Sequence, residues 1–206
     1  MKEADFYNRL TELADRARTR DILTSTLFLT PADQKTARNW LNKRKISYLL
    51  HGGFDQAERK IILFLPDYLT PDQFTTSLLE DTLSAIQLIP KEKDHGLSHR
   101  DFLGSLLGLG IKRDQTGDIL IDDEQATVIV CANIVPLLLS ELNSVGRQQV
   151  QTKLIALDDI KASEKSVKQI MMTASSLRLD KITADGFSLS RTKAAELIRM
   201  GGVQVD

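Results

Sequence analysis

Residues 84–157, SAIQLIPKEKDHGLSHRDFLGSLLGLGIKRDQTGDILIDDEQATVIVCANIVPLLLSELNSVGRQQVQTKLIAL, decide how this chain folds. Ser84–Ile89 is a short apolar run of strand length, and Ser98–Leu107 carries apolar residues at helical spacing. Ser98 and Asp101 have the S-x-x-D spacing of a capping box that starts the helix, and Gly108 and Gly110 stop it. Asp118–Ile121 and Thr127–Ala132 read as two strands separated by the acidic turn Asp122-Asp123-Glu124. Asn133 is placed to cap a second helix through Leu142, and Gln151–Leu157 closes with a strand. The β-α-β-β-α-β order over residues 83–158 predicts a split β-α-β, or ferredoxin-like, sandwich. That fold hosts RNA binders, metal binders and enzymes alike, so it names no function.

Residues 1–80, before this stretch, predict a small mixed α/β domain. Phe6, Leu10, Leu13 and Ala17 recur at helical spacing, giving an amphipathic helix over 3–19. Thr24–Leu29 reads as a strand, and Thr30-Pro31 as the cap and first residue of a helix reaching Asn42. Ile46–Leu50 and Arg59–Leu65 read as strands joined across Gly52-Gly53. After the central domain, residues 159–176 form a polar, partly helical linker. Residues 177–206 predict a helix pair leading into a strand. The fold class is therefore α+β.

Composition narrows the function classes. The 206 residues are 42% hydrophobic and 27% charged with five prolines, which excludes a disordered or collagen-like chain. The longest apolar runs, Ile61–Pro66 and Val128–Ala132, are strand-sized, whereas a membrane-spanning helix needs about 20 apolar residues. The start, Met1-Lys2-Glu3-Ala4-Asp5, has two acids and no apolar run, so no secretory signal is expected. A lone cysteine, Cys131, makes no internal disulfide and no thiolate zinc site. A reducing cytoplasm is the expected compartment, with no membrane partner. The net charge of −1 is unevenly spread: residues 161–206 hold eight Lys/Arg against five Asp/Glu, so the remainder carries −4. The basic surplus lies in the short C-terminal piece and points to a polyanion.

That piece reads as two short helices. Leu177–Gly186 ends at Gly186, with Leu179 and Ile182 inward and Phe187 and Leu189 packing the corner. Ser190 caps a second helix, 191–200, with Ala194, Leu197 and Ile198 inward; Gly201-Gly202 ends it, and Val203-Gln204-Val205 alternates as a strand does. Arg191 and Lys193 occupy the first turn, where free backbone N–H groups favour an anion, and Arg178, Lys181 and Arg199 add charge nearby.

The stretch RLDKITADGFSLSRTKAAELIRMGGVQV resembles the S4 RNA-binding domain, through its R-L-D opening, its S-R-x-x-A-x-x-L-I-x-x-G helix and its V-x-V strand. The resemblance implies binding of structured RNA by Arg178, Lys181, Arg191, Lys193 and Arg199. The S4 pattern continues past V-x-V into a further hairpin, so a chain ending at Asp206 is expected to carry only part of the module. The whole chain also resembles the YlmH family, which places an S4 domain after two small α/β domains; HGGFDQAERKIILFLP and HRDFLGSLLGLGIKRDQTGDILI are further resembling stretches. That likeness implies ribosomal or transfer RNA as partner, the large ribosomal subunit as the place of action in rescue of stalled translation, and a link to cell division. It implies no cofactor and no small-molecule substrate.

Other constellations have simpler readings. Arg178-Leu179-Asp180 with Thr183 is similar to the aspartate segment of pseudouridine synthases. Gly186 comes one residue late for that motif, so Asp180 reads as a helix-surface carboxylate; an RNA-modifying enzyme is the alternative it leaves, and a cell-division scaffold with merely solvated helices is another. His99-Arg100-Asp101 lacks the asparagine a kinase loop needs, since position 106 is Leu. His95 and His99 have no third ligand nearby, so no metal is expected. His51 beside Gly52-Gly53 reads as a turn residue within reach of a phosphate. Lys112-Arg113 and Lys43-Arg44-Lys45 are second and third candidate RNA contacts, Trp40 reads as core, and Gly104 suggests close approach of another backbone. No residue set brings a nucleophile, a base and an orienting group together, so no catalysis is expected.

Overall fold

The computed structural model describes residues 3–92, 96–122, 125–161, 170–173, 176–199 and 203. It divides into two compact units, Met1–Ser163 and Glu164–Asp206.

The first unit opens with α1 (Glu3–Arg20), β1 (Thr24–Ser25), α2 (Pro31–Lys43), β2 (Leu49–His51) and β3 (Ile61–Phe64). The strands form an antiparallel sheet in the order β1-β3-β2. As the sequence predicts, Thr30 caps α2: its Oγ1 accepts from the Asp33 N–H at 3.2 Å, with Pro31 at the first helical position. The strand expected over Thr24–Leu29 shrinks to two residues and a single bridge, Leu29 to Lys60. The cause lies in partners distant in sequence: the Phe28 N–H leaves the ladder to donate to the Asp114 carbonyl at 2.8 Å, and the Phe28 carbonyl accepts from Arg59 at 3.2 Å.

The second sheet comprises β4 (Leu83–Pro90), β5 (Thr116–Ile121), β6 (Ala126–Cys131), β7 (Ser144–Val145) and β8 (Gln148–Ile155), with α3 (His99–Gly108) and α4 (Val135–Glu141) between them. Its order is β5-β6-β4-β8-β7, antiparallel throughout. Leaving aside the two-residue β7, the elements follow the β-α-β-β-α-β order read from the sequence, with the first strand between the third and the last. Asp101 accepts from both the N–H (2.8 Å) and the hydroxyl (2.6 Å) of Ser98 at the start of α3, which lowers its pKa. Three expectations fail here. Asn133 lies inside a 3₁₀ turn and caps nothing; α4 starts after it, with Pro136 in its first turn, where a missing N–H leaves no bond unmade. The last strand starts at Gln148, because Gly146, at φ +57°, turns β7 back onto it. Gly104 meets no other backbone: a Cβ there would have nothing within 4 Å.

Alternation along β4 and β6 divides the core. Ile86, Leu88, Val128 and Val130 face α3 and α4, against Phe102, Leu106 and Leu138. Leu83, Ala85, Ile129 and Cys131 face the other way and meet Phe28, Ile61 and Leu63 of the small sheet. The boundary expected between residues 80 and 83 thus falls between two sheets that share one buried cluster. Gly117 sits at a close approach, where an added Cβ would lie 2.7 Å from the Phe28 ring and 3.3 Å from Ile129. Gly117→Ala should therefore destabilise the unit by about 1–3 kcal/mol of overpacking, read as a lower urea midpoint at unchanged slope. A neutral result would show that the Phe28 ring gives way freely.

In the second unit, α5 (Leu179–Gly186) and α6 (Arg191–Arg199) form the expected helix pair. Gly186 does not end α5 in a left-handed turn as predicted. Ser188 does, at φ +54°, with the Leu189 N–H bonded to the Ala184 carbonyl at 2.8 Å in Schellman fashion. Residues 162–169, 174 and 175 of the expected linker, and Gly201, Gly202, Gln204 and Val205 of the expected turn and strand, lie outside the described residues.

Candidate nucleic-acid interface

Ser190 caps α6 as expected, its Oγ accepting from the Lys193 N–H at 3.2 Å. Thr183, Ala184 and Ala194 are buried between the helices, with Leu179, Ile182, Leu197 and Ile198 half-buried. Phe187 does not pack the corner; it is 67% exposed.

The five cations expected to grip phosphate fall into two groups. Asp180 sits between two guanidiniums: Arg178 Nε donates to Oδ1 at 3.0 Å and Arg191 Nη2 to Oδ2 at 2.8 Å. Lys181 pairs with Asp185 at 3.0 Å. Lys193 and Arg199 are exposed, and among the described residues neither has an ion pair. The Asp180 side chain is only 20% exposed, whereas Arg178 and Arg191 remain 71% and 59% exposed, so both guanidiniums keep donors for a further anion.

Hydrogen bonds from Arg178 and then Arg191 hold the Asp180 carboxyl down at about 2. A depressed folded-state pKa stabilises above the unfolded value of about 3.9 and the effect is lost as pH falls through the folded one. Carbon-13 NMR should therefore find Asp180 still ionised at about pH 4 and titrating near about pH 2, with the stability its ion pairs contribute declining between about pH 4 and 2 and the pairs themselves lost through about pH 2. Titration near the ordinary value would show that the arginines do not engage it. As an acceptor locked between two arginines, Asp180 is poorly set up as a nucleophile.

The other candidates serve structure first. Arg113 donates to the carbonyls of Thr116 (2.6 Å) and Gly117 (3.1 Å); burial and then the Arg59 charge lower its pKa. Lys112 is exposed beside it. Lys43 lies in the last turn of α2, where a cation suits the helix dipole. Arg44 lies over the Trp40 ring at 4.0 Å, and Lys45 is the left-handed residue (φ +54°) that ends the helix. Trp40 is half-buried and stacks on Tyr7 at 5.2 Å. The His51 Nδ1 accepts from the Gly53 N–H at 3.0 Å, and burial lowers its pKa, so the ring is a neutral turn fastener at pH 7. Burial and then the Asp114 charge push the Cys131 thiol up to about 11, which keeps it protonated. His95 lies outside the described residues, and among those described no group of three or more His, Cys, Asp or Glu is placed to hold a metal.

Comparison with known proteins adds to this geometry. A family model described as "Putative RNA-binding domain in YlmH" matches residues 80–159, the span of the five-stranded sheet with α3 and α4. "Ribosome-associated protein quality control protein P2" of Bacillus subtilis (strain 168) is 31% identical over 181 residues, 88% of this chain and 68% of that protein. The chain belongs to the YlmH family. The fold of the cell division protein ylmH from Streptococcus pneumoniae agrees with a TM-score of 0.61 at 24% identity, covering 78% of this chain and 96% of that one. The YlmH domain match falls on the central sheet, whereas the sequence reading put its first five contacts on α5 and α6. Within the matched span the sequence offers only Lys112 and Arg113 as an adjacent pair of cations, at the 3₁₀ turn before β5, because a half-buried sheet gives no charge run to find.

Proposed function

We propose that this YlmH-family protein is a non-catalytic binder of structured ribosomal or transfer RNA, acting in the cytoplasm on the large ribosomal subunit during rescue of stalled translation. The family's RNA-binding domain and the name of the Bacillus subtilis relative support RNA and the ribosome as partners. The observation that carries the reading is the pair Lys193 and Arg199, exposed on α6 and without ion pairs among the described residues, with Arg191 beside them at the helix start. Cations on short helices contact phosphate rather than base edges, so selectivity would be for RNA shape. Phe187, exposed on the turn leading into α6, adds an aromatic face for an unpaired base.

Sedimentation with purified ribosomal subunits over a salt series tests this. The protein should pellet with the large subunit, and log K should fall against log salt with a slope of about −3.5 to −4.5 if all five cations engage. Salt-independent binding, or equal binding to both subunits, would contradict it.

A further inference from the structure

We propose that the open edge of the small sheet binds an extended, basic segment of a protein partner by strand addition. β1 is the outer strand of that sheet. The Thr26 N–H donates inward to the Ile62 carbonyl at 3.0 Å, so the alternation of an antiparallel edge turns the backbone groups of Ser25 and Leu27 outward. Among the described residues the Leu27 N–H and carbonyl have no hydrogen-bond partner, and its side chain is 44% exposed. The Phe28 N–H, taken by the Asp114 carbonyl, marks where the open edge ends. Exposed edges are usually blunted by lysine, proline or a covering element. Residues 24–29, TSTLFL, contain neither residue.

A groove of about 1050 Å³ runs along this edge, lined on its other sides by α1 and by the loops that carry Asp81 and Asp114. Small-molecule sites usually measure about 300–1,000 Å³, so this one has room for a length of chain. Its charge selects the occupant. Asp5, Asp33, Asp81 and Asp114 line it, none of them in an ion pair among the described residues; the Arg59 charge acts on Asp114 and Asp33, and the Arg9 charge is paired with Glu12 at 3.0 Å. The acidic surplus, centred on Asp5 and Asp81, repels RNA phosphate and favours lysine or arginine. The floor formed by Phe6, Leu27 and Phe28 accepts an apolar side chain alternating with them. This groove lies in the first unit and shares no residue with the cations of α5 and α6.

The test uses the full chain and two fluorescein-labelled peptides of about eight residues, one alternating lysine with valine and one alternating glutamate with valine. The lysine peptide should bind at least about tenfold more tightly and slow amide hydrogen exchange at Ser25 and Leu27. Asp5→Asn with Asp81→Asn should weaken it by about fivefold or more, and Leu27→Pro, which removes an outward N–H and no ladder bond, should abolish it. Circular dichroism confirms that each variant folds, and ribosome sedimentation of both should be unchanged, which separates this proposal from the RNA reading. Equal binding of the two peptides, no binding below about 1 mM, or indifference to the variants overturns it. Uptake of a labelled RNA oligonucleotide that the same aspartate changes abolish would assign the groove to nucleic acid and also overturn it.

Discussion

Changing Arg191, Lys193 and Arg199 together to alanine should lower RNA affinity by about ten- to a hundredfold and flatten the salt dependence by about 2 to 3 units of log–log slope, at about 0.7–0.9 per lost phosphate contact. All three lie on α6 and are exposed, while the helix packs through Ala194, Leu197 and Ile198, so the fold should survive and far-UV circular dichroism should match the parent. The three are not equivalent. Among the described residues Lys193 and Arg199 have no ion pair, whereas Arg191 already spends one donor on Asp180. Arg191→Ala alone should therefore cost less than Lys193→Ala with Arg199→Ala, and Asp180→Asn, which frees two guanidiniums, should steepen the salt slope. A triple variant that binds as the parent does would move the RNA contact off α6, to Lys112 or to the central sheet.

Arg59→Ala should destabilise the first unit by about 2–3 kcal/mol, a fall in melting temperature of about 4–12 °C. Arg59 joins the two sheets: its guanidinium donates to the carbonyls of Thr116 (3.1 Å), Phe28 (3.2 Å) and Arg113 (3.3 Å). Its own N–H and that of Glu58 donate to the Asp118 carboxylate at 3.1 and 2.6 Å. Truncation leaves carbonyls of Phe28 and Arg113 short of a donor in a half-buried seam. Relief of the repulsion that lowers the Arg113 pKa offsets part of the loss. Trp40, the single tryptophan, reports on the small sheet's side, and far-UV circular dichroism reports on the whole. Coincident transitions that shift together would show one cooperative unit. A Trp40 transition that separates from the rest would show that the two sheets melt as independent domains.

The elements that carried local signals were legible. Thr30-Pro31 and Ser98 with Asp101 marked helix starts because caps act within one turn, and alternation set the strands of the central sheet because one residue step turns a side chain to the other face. Ser190 and the basic residues of α6 were legible for the same reason. The errors arise where backbone or side-chain partners are set by the folded geometry, some of them distant in sequence and some only a turn away. Thr24–Leu29 has strand composition, yet Asp114 and Arg59 capture the Phe28 backbone and cut the strand short. Arg113 reads as a free cation beside Lys112 until Thr116 and Gly117 are folded beneath it. Phe187 reads as a core aromatic and stands in solvent, since the left-handed residue that closes the turn is Ser188, two residues beyond the glycine expected to supply it.

What the sequence by itself determined is the order of the main helices and strands, the α+β class, the surplus of positive charge in residues 161–206 and the likeness to the YlmH family. These follow from periodicity, capping and composition, all properties of neighbouring residues. Only the tertiary structure decided that the first two blocks share a core, which of the five cations are free and that the small sheet keeps an open, acid-lined edge. Each of those rests on pairs such as Phe28 with Asp114, Arg59 with Thr116 and Arg191 with Asp180. Their meeting is set by how the sheets and helices pack, which no local pattern encodes.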